Sequence, residues 1–323
     1  MAPKKHHYVP EAYLKHFVDD DGFLWVGRKD DPANPHRMKP ENIAFRKYYY
    51  SQIDGEGERD NRLEDHLGTY ETPWPGIVSK LKAKGRLSPN ELNDLWHFMA
   101  IQRARVPAAR DAMESMLAHH SMIAMRELEE SGELPAPPEE YPDLIDQVRI
   151  SIHPQKSIEA MSILLRGVHE LRSRLNLTIV HNVSGVGFIT SDNPMAVFDP
   201  SYPEHSLRPY FVEHWDSPIE LLFPIDPVTL IRGLSKSITS YFDPVPRHVE
   251  LRSNAEIKRV NRLVAKFGYE LLIARDGQNA KLLKAHADQS PVIENAIGWS
   301  SGKPAGRLRW GFGPRPKKPK WSD

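Results

Sequence analysis

The sequence predicts an α+β fold, with an antiparallel sheet in the C-terminal half packed against a mostly helical N-terminal and middle region. Three observations carry this. Between residues 60 and 175 apolar side chains recur every three or four positions, the helical period. Between 177 and 274 they fall into short runs divided by Gly and Pro, the punctuation of strands. Two capping boxes, Ser88-Pro89-Asn90-Glu91 and Ser253-Asn254-Ala255-Glu256, mark where helices begin. The 323 residues are read as one large domain over 1–300, with a helical part at about 58–176, a sheet part at about 177–275, and a basic, flexible tail over 301–323.

In chain order, Pro10 suits a first helical position, and Tyr13, Leu14 and Phe17 form the buried face of the short helix it opens. Residues 23–26 and 45–53 read as strands and 30–42 as loop. From residue 60, Leu63, Leu67, Tyr70 and Trp74 make an apolar stripe that Pro73 and Pro75 bend, and 77–81 is a second helical piece. Glu64 and Glu71, seven apart, share a face beside that stripe, either as paired carboxylates or as solvated glutamates.

The helix after Ser88 buries Leu92, Leu95, Trp96 and Met99, and the same spacing carries on to Gln102 and Arg103. A buried Arg needs an anionic partner, so residues 102–107 are either a structural polar network or a ligand clamp. Met113, Met116, Met122 and Met125 beyond Pro107 read as core filler, 133–142 as an acidic linker, and 157–175 as a further helix. Strands follow at 177–181, 187–191, 195–198, 220–225 and 228–232, the first two expected to form a hairpin. The helix after Ser253 is lined by Ile257, Val260, Val264 and Phe267, carries Asn261 on its apolar face, and stops at Gly268. A last strand is expected at 269–274 and a weaker helix at 280–287.

Composition removes several function classes. Hydrophobic residues make up 40% and charged residues 27%, and no run of about 18 apolar residues is present to span a bilayer. The opening MAPKKHHYVP has no apolar core for a secretory signal, and zero cysteines exclude disulfides and thiolate metal sites, so a cytoplasmic location is expected. Lys plus Arg equals Asp plus Glu at 43 each, so any polyanion site must be local. No phosphate-binding glycine loop, HExxH or nucleophile elbow occurs.

Four polar residues, Thr190, Ser191, Asp192 and Asn193, crowd the end of the apolar strand GFITSDNPMAVF, the kind of junction at which a scaffold presents a site. Together with HHYVPEAYLKHF, FMAIQRARVPAAR and LLFPIDPVTLI ahead of VNRLVAKFGYELL, this stretch resembles a bacterial family, the domain of unknown function DUF4238, over roughly residues 5–273. The resemblance implies that paired histidines, a Gln-x-x-Arg-x-Pro helix motif and a Ser-Asp-Asn-Pro turn are shared features, here His6 and His7, Gln102 with Arg105 and Pro107, and residues 191–194. It favours Arg105 where the helical wheel favours Arg103, and it supplies no reaction.

If these groups converge, their chemistry is that of a metal-dependent phosphodiesterase or nuclease. Asp192 with Glu64 or Glu71 would hold Mg²⁺ or Mn²⁺, His7 would move the proton, and Arg105 with Gln102 would hold phosphate. His7, Asp192 and Arg105 are then the catalytic set, with His6, Gln102, Arg103, Ser191 and Asn193 on the substrate. Arg307, Arg309, Lys317, Lys318 and Lys320, interleaved with Trp310, Phe312 and Trp321, would recruit nucleic acid, unless the tail only solubilises. The competing reading makes Asp192 and Asn193 turn caps and pairs Arg105 with Asp192 or Glu71 as fold staples, leaving a non-enzymic binding or regulatory module for a small anion or nucleic acid. A nucleotide-dependent transferase would need a phosphate loop that is absent.

Overall fold

The computed structural model describes residues 5–53, 56, 58–159, 161–210, 216–239, 243, 245–300 and 303–318. It is an α+β protein of helices and mostly antiparallel sheets. The helical part holds Arg62–Glu71, Trp74–Lys82, Pro89–Arg105, Pro107–Glu130 and Met161–Arg174. A five-stranded sheet runs in the order Arg247–Leu251, Leu175–Asn182, Thr229–Ser235, Glu220–Asp226, Ala196–Phe198, and is antiparallel except for its first pair.

Alternation along the strands feeds two cores. Leu177, Ile179, Leu221, Phe223 and Ile231 face the helical layer with Trp74, Leu95 and Phe98, while Val180, Leu222 and Leu230 face Ile257, Val260, Val264 and Phe267 of the helix Asn254–Phe267. The sheet is thus covered on both sides. Tyr13 locks the first core, its ring 5.4 Å from that of Phe223 and its hydroxyl bonding Thr190 Oγ1 at 2.6 Å and the Pro224 carbonyl. Truncating Phe223 to Ala would cost about 3–5 kcal/mol.

Several expectations need correcting. The strands expected in one C-terminal sheet divide between two, for a four-stranded sheet joins Asp31–Met38, Leu24–Arg28, Leu271–Ala274 and Thr190–Ser191. Asp31–Met38 had read as loop because of Pro32 and Pro35, which a strand tolerates at a sheet edge. The strand expected over 45–53 is split into Phe45–Lys47 and Gln52–Ile53 by Tyr48, whose φ is +53°. No hairpin joins 177–181 to 187–191. Asn261 accepts from Ile189 N–H at 3.1 Å and donates to the Gly187 carbonyl at 2.8 Å, so the backbone before Thr190 is bound by a helix side chain, and Thr190–Ser191 pairs with Leu271–Ala274.

The supposed flexible tail is, over Lys303–Gly313, one strand of a hairpin with Ser290–Ser300, packed on the helices Pro107–Glu130 and Asn254–Phe267. A Cβ at Gly306 would collide with His119 and Ile123, which makes that contact specific to glycine. Lys320 and Trp321 lie outside the described residues. Among the described residues no helix is long and apolar enough to cross a membrane.

Candidate functional site

The helix Pro89–Arg105 organises both polar clusters. Its capping box forms in full, Glu91 N–H donating to Ser88 Oγ at 3.3 Å and Ser88 N–H to Glu91 Oε2 at 2.7 Å. At roughly 100° per residue Gln102 and Arg105 share one side while Arg103 points away from Arg105. All three are buried.

On the first side Arg105 is spent on the protein itself. Nε donates to the Tyr8 carbonyl at 3.2 Å, one terminal nitrogen to the His7 carbonyl, and the other pairs with Glu71 Oε1 at 2.7 Å. Gln102 Nε2 adds a 3.1 Å bond to the Tyr8 carbonyl. The helix is thereby stitched to the strand Lys5–His7, which pairs with Phe45–Lys47. His6 is no lid: it is fully buried, and its Nδ1 accepts from Tyr50 N–H at 3.1 Å.

Buried atoms at this staple that lack a partner among the described residues include His7 Nε2, Glu64 Oε2 and Gln102 Oε1. Burial holds His7 below its usual range against the pull of Glu11, and pushes Glu64 up to about 7, with Arg105 opposing and Glu71 reinforcing.

On the second side, Thr190, Ser191, Asp192 and Asn193 are buried rather than presented at a surface. Asp192 Oδ1 accepts from Tyr269 N–H at 2.8 Å and Oδ2 from Glu270 N–H at 2.7 Å, closing the approach to the strand Leu271–Ala274. Burial, then Glu270, raises its carboxyl while those backbone donors oppose the shift. Ser191 Oγ accepts from Asn193 N–H at 3.1 Å, and Asn193 Nδ2 donates to the Phe267 carbonyl and the Tyr210 hydroxyl. Gly268 has φ −53°, so its glycine serves close approach, a Cβ there lying 3.1 Å from Ser191 Cβ.

Arg103 stands differently. It is 6% exposed, its guanidinium lies 3.5 Å from the centroid of the Tyr210 ring, and among the described residues NH1 has no partner and no carboxylate pairs with it. Burial lowers its pKa, with Tyr210 opposing. Tyr210 adopts φ +57°, a left-handed backbone that costs a bulky residue free energy and that clusters at functional positions. Asn193 Oδ1, on the side chain that holds the Tyr210 hydroxyl, is also unpartnered.

The expected shared cleft is therefore two clusters. His7, Gln102, Arg105, Glu64 and Glu71 gather on one side of the helix, while Asn193, bonded to Ser191 Oγ, holds the Tyr210 hydroxyl, and the Tyr210 ring covers Arg103. Among the described residues no hydrogen bond or ion pair joins Asp192 to His7 or Arg105. The donors expected for Mg²⁺ or Mn²⁺ do not fit one ion: both Asp192 oxygens accept backbone N–H, Glu71 Oε1 accepts from Arg105, and no group of three or more His, Cys, Asp or Glu among the described residues could hold a metal.

The tail cations divide as well. Lys318 pairs with Asp111 and Glu114, whereas Arg307 and Lys317 are exposed.

Sequence reasoning missed Tyr210, an aromatic in an irregular segment that no periodicity flags. It also missed Lys29, which reads as a turn residue beside Asp30 yet is buried, donating to the carbonyls of Gly268 at 2.6 Å and of Gln289. Burial brings Lys29 down to about 7, with Asp192 opposing.

No curated protein and no solved structure matches the chain. A family model described as "Protein of unknown function (DUF4238)" matches residues 5–278, which covers both polar clusters and both main sheets. Within that span His6, Gln102 with Arg105, and Ser191 to Asn193 bond to the protein itself as just described, and the chain belongs to the DUF4238 family.

Proposed function

We propose that the protein is a binding module for a small oxyanion and that Arg103 is the group that holds it. One observation carries this reading: a guanidinium, effectively always charged, sits buried with no carboxylate partner among the described residues and with NH1 unpartnered. Removing an ion from water costs several kcal/mol, while a desolvated cation–π contact returns about 2 kcal/mol or somewhat more, so it offsets only part of that cost. An anion supplies the rest. Tyr210 walls one side, and Asn193 fixes its hydroxyl. The competing use of the polar motifs as clamps loses support because Arg105, Asp192 and Ser191 are spent internally.

The test is a thermal-shift series in low-salt zwitterionic buffer with phosphate, sulfate and acetate. At 100-fold excess over Kd an anion adds about 2.7 kcal/mol. A rise for wild type that Arg103→Met abolishes supports the reading. No response to any anion, or an unchanged response in the variant, overturns it. The reading takes the protein to meet its anion in the cytoplasm, in keeping with a sequence that has no cysteine.

A second reading, phosphodiester hydrolysis of nucleic acid, is favoured by the unpartnered Glu64 Oε2 and His7 Nε2 beside Arg105. A carboxylic acid titrating near neutrality and a neutral imidazole are an acid–base pair suited to that chemistry. Incubation with RNA and with single-stranded and duplex DNA, with and without Mn²⁺, tests it. Cleavage lost in Glu64→Gln supports this reading, and no cleavage of any substrate overturns it.

A further inference from the structure

The C-terminal hairpin, read from sequence as a tail, closes a cavity of about 480 Å³ against the loop before Tyr210 and the end of the helix Asn254–Phe267. That volume is in the range of small-ligand sites. Its lining is unusual in a chain whose charges balance at 43 and 43. Arg208, Lys266 and Arg309 line it against one acid, Glu294, with His205 adding a titratable imidazole. Aromatic surface comes from Tyr202, Trp310 and Phe312.

The placement follows from the fold. Glu294 and Arg309 face each other across the hairpin register, and Gly311 leaves room for the Glu294 carboxylate, since a Cβ there would lie 3.0 Å from Oε1. Trp310 is half-buried with its edge toward Tyr210, at 5.4 Å between centroids. Lys266 is held in place by the Glu204 carbonyl and by the Phe312 ring, 4.6 Å from its centroid; it forms no ion pair among the described residues, and the Glu204 carboxylate acts on it only through space. Arg309 is exposed and forms no ion pair among the described residues.

We propose that this cavity binds a mononucleotide, with the phosphate held by Arg309, Lys266 and Arg208 and the base against Trp310. Cations with an aromatic platform are the recurring means of holding phosphate and base together. The cavity is half open to solvent, and its volume, enough for one ligand, suits a mononucleotide better than a strand. The site is separate from Arg103, which packs on the Tyr210 ring and is not among the described residues that line the cavity.

The experiment is calorimetric titration of the full chain with AMP, ATP, adenosine, ribose 5-phosphate and a ten-nucleotide single-stranded DNA. The expected result is binding of AMP or ATP that exceeds both fragments, weakens with added salt, and falls about tenfold in Arg309→Gln and in Trp310→Leu. Arg309 is exposed, so Arg309→Gln keeps the fold, and its melting temperature confirms it. Three results overturn the proposal: no nucleotide bound at about 1 mM, nucleotide affinity unchanged in both variants, or the oligonucleotide bound while mononucleotides are not. Arg103→Met, unchanged in nucleotide affinity, separates this site from the anion site.

Discussion

Replacing Arg105 by Met tests whether the most buried arginine is a staple or a ligand group. The change removes three donors, to the carbonyls of His7 and Tyr8 and to Glu71. Gln102 still serves the Tyr8 carbonyl, and Glu71 at 27% side-chain exposure can turn to water, so neither loss is complete. The His7 carbonyl loses its charged donor, and a lost bond to a charged group costs about 1.5–3 kcal/mol. Breaking a buried pair costs about 3–5 kcal/mol when the partner stays buried, so ~3 kcal/mol is expected here. With 323 residues at about 2.1 cal/mol/K each, unfolding entropy is ~0.7 kcal/mol/K, and the melting temperature should fall ~4 °C. Scanning calorimetry measures it, and a double-mutant cycle with Glu71→Gln should return a coupling of about 1–2 kcal/mol. A variant that melts within about 1 °C of wild type yet no longer binds anion would refute the staple assignment.

Other predictions follow from the same geometry. Asp192→Asn removes an acceptor from Tyr269 N–H or Glu270 N–H and turns an amide toward it, so it should cost about 2–4 kcal/mol, read by calorimetry. Retained stability would break that reading. Glu64 has a folded pKa of about 7 above its usual 4.5, so its contribution is fully present below 4.5 and lost as pH rises through 7. Glu64→Gln should therefore gain stability relative to wild type between pH 4.5 and 7 and hold that gain above, and a pH-independent difference would contradict the shift. Gly306→Val should push the hairpin from His119 and Ile123 and speed tryptic cleavage after Arg307, whereas an unchanged digest would show that the contact gives way cheaply.

Much of the fold was legible because local signals and tertiary contacts agree. The Ser88 box forms as its spacing requires, and Ser253 accepts from Glu256 N–H at 3.3 Å where the second box placed the cap. Pattern reading failed where a side chain replaced a ladder. Asn261 binds the backbone around Ile189, so a run that looks like a hairpin strand is none, and its position on an apolar helix face was the one visible clue. Prolines hid Asp31–Met38 at the sheet edge, and charge disguised the hairpin strand Lys303–Gly313 as a tail.

The candidate site was half legible. Periodicity turned Gln102 and Arg103 inward and resemblance pointed to Arg105, and all three are buried. Which of them keeps an unmet charge depends on partners from distant elements. Glu71 and the carbonyls of His7 and Tyr8 complete Arg105, whereas only the Tyr210 ring meets Arg103. No spacing rule links residue 103 to residue 210.

The most direct measurement of the central claim is calorimetric titration of inorganic phosphate into wild type and Arg103→Met at low ionic strength, each first melted in anion-free buffer. The account predicts that the variant loses one saturable phosphate site that wild type has. It also predicts that the anion-free variant melts at or above wild type, because a buried uncompensated charge has been replaced by an apolar side chain of similar length. Equal phosphate binding by both proteins, or a variant that melts several degrees lower in anion-free buffer, would contradict it.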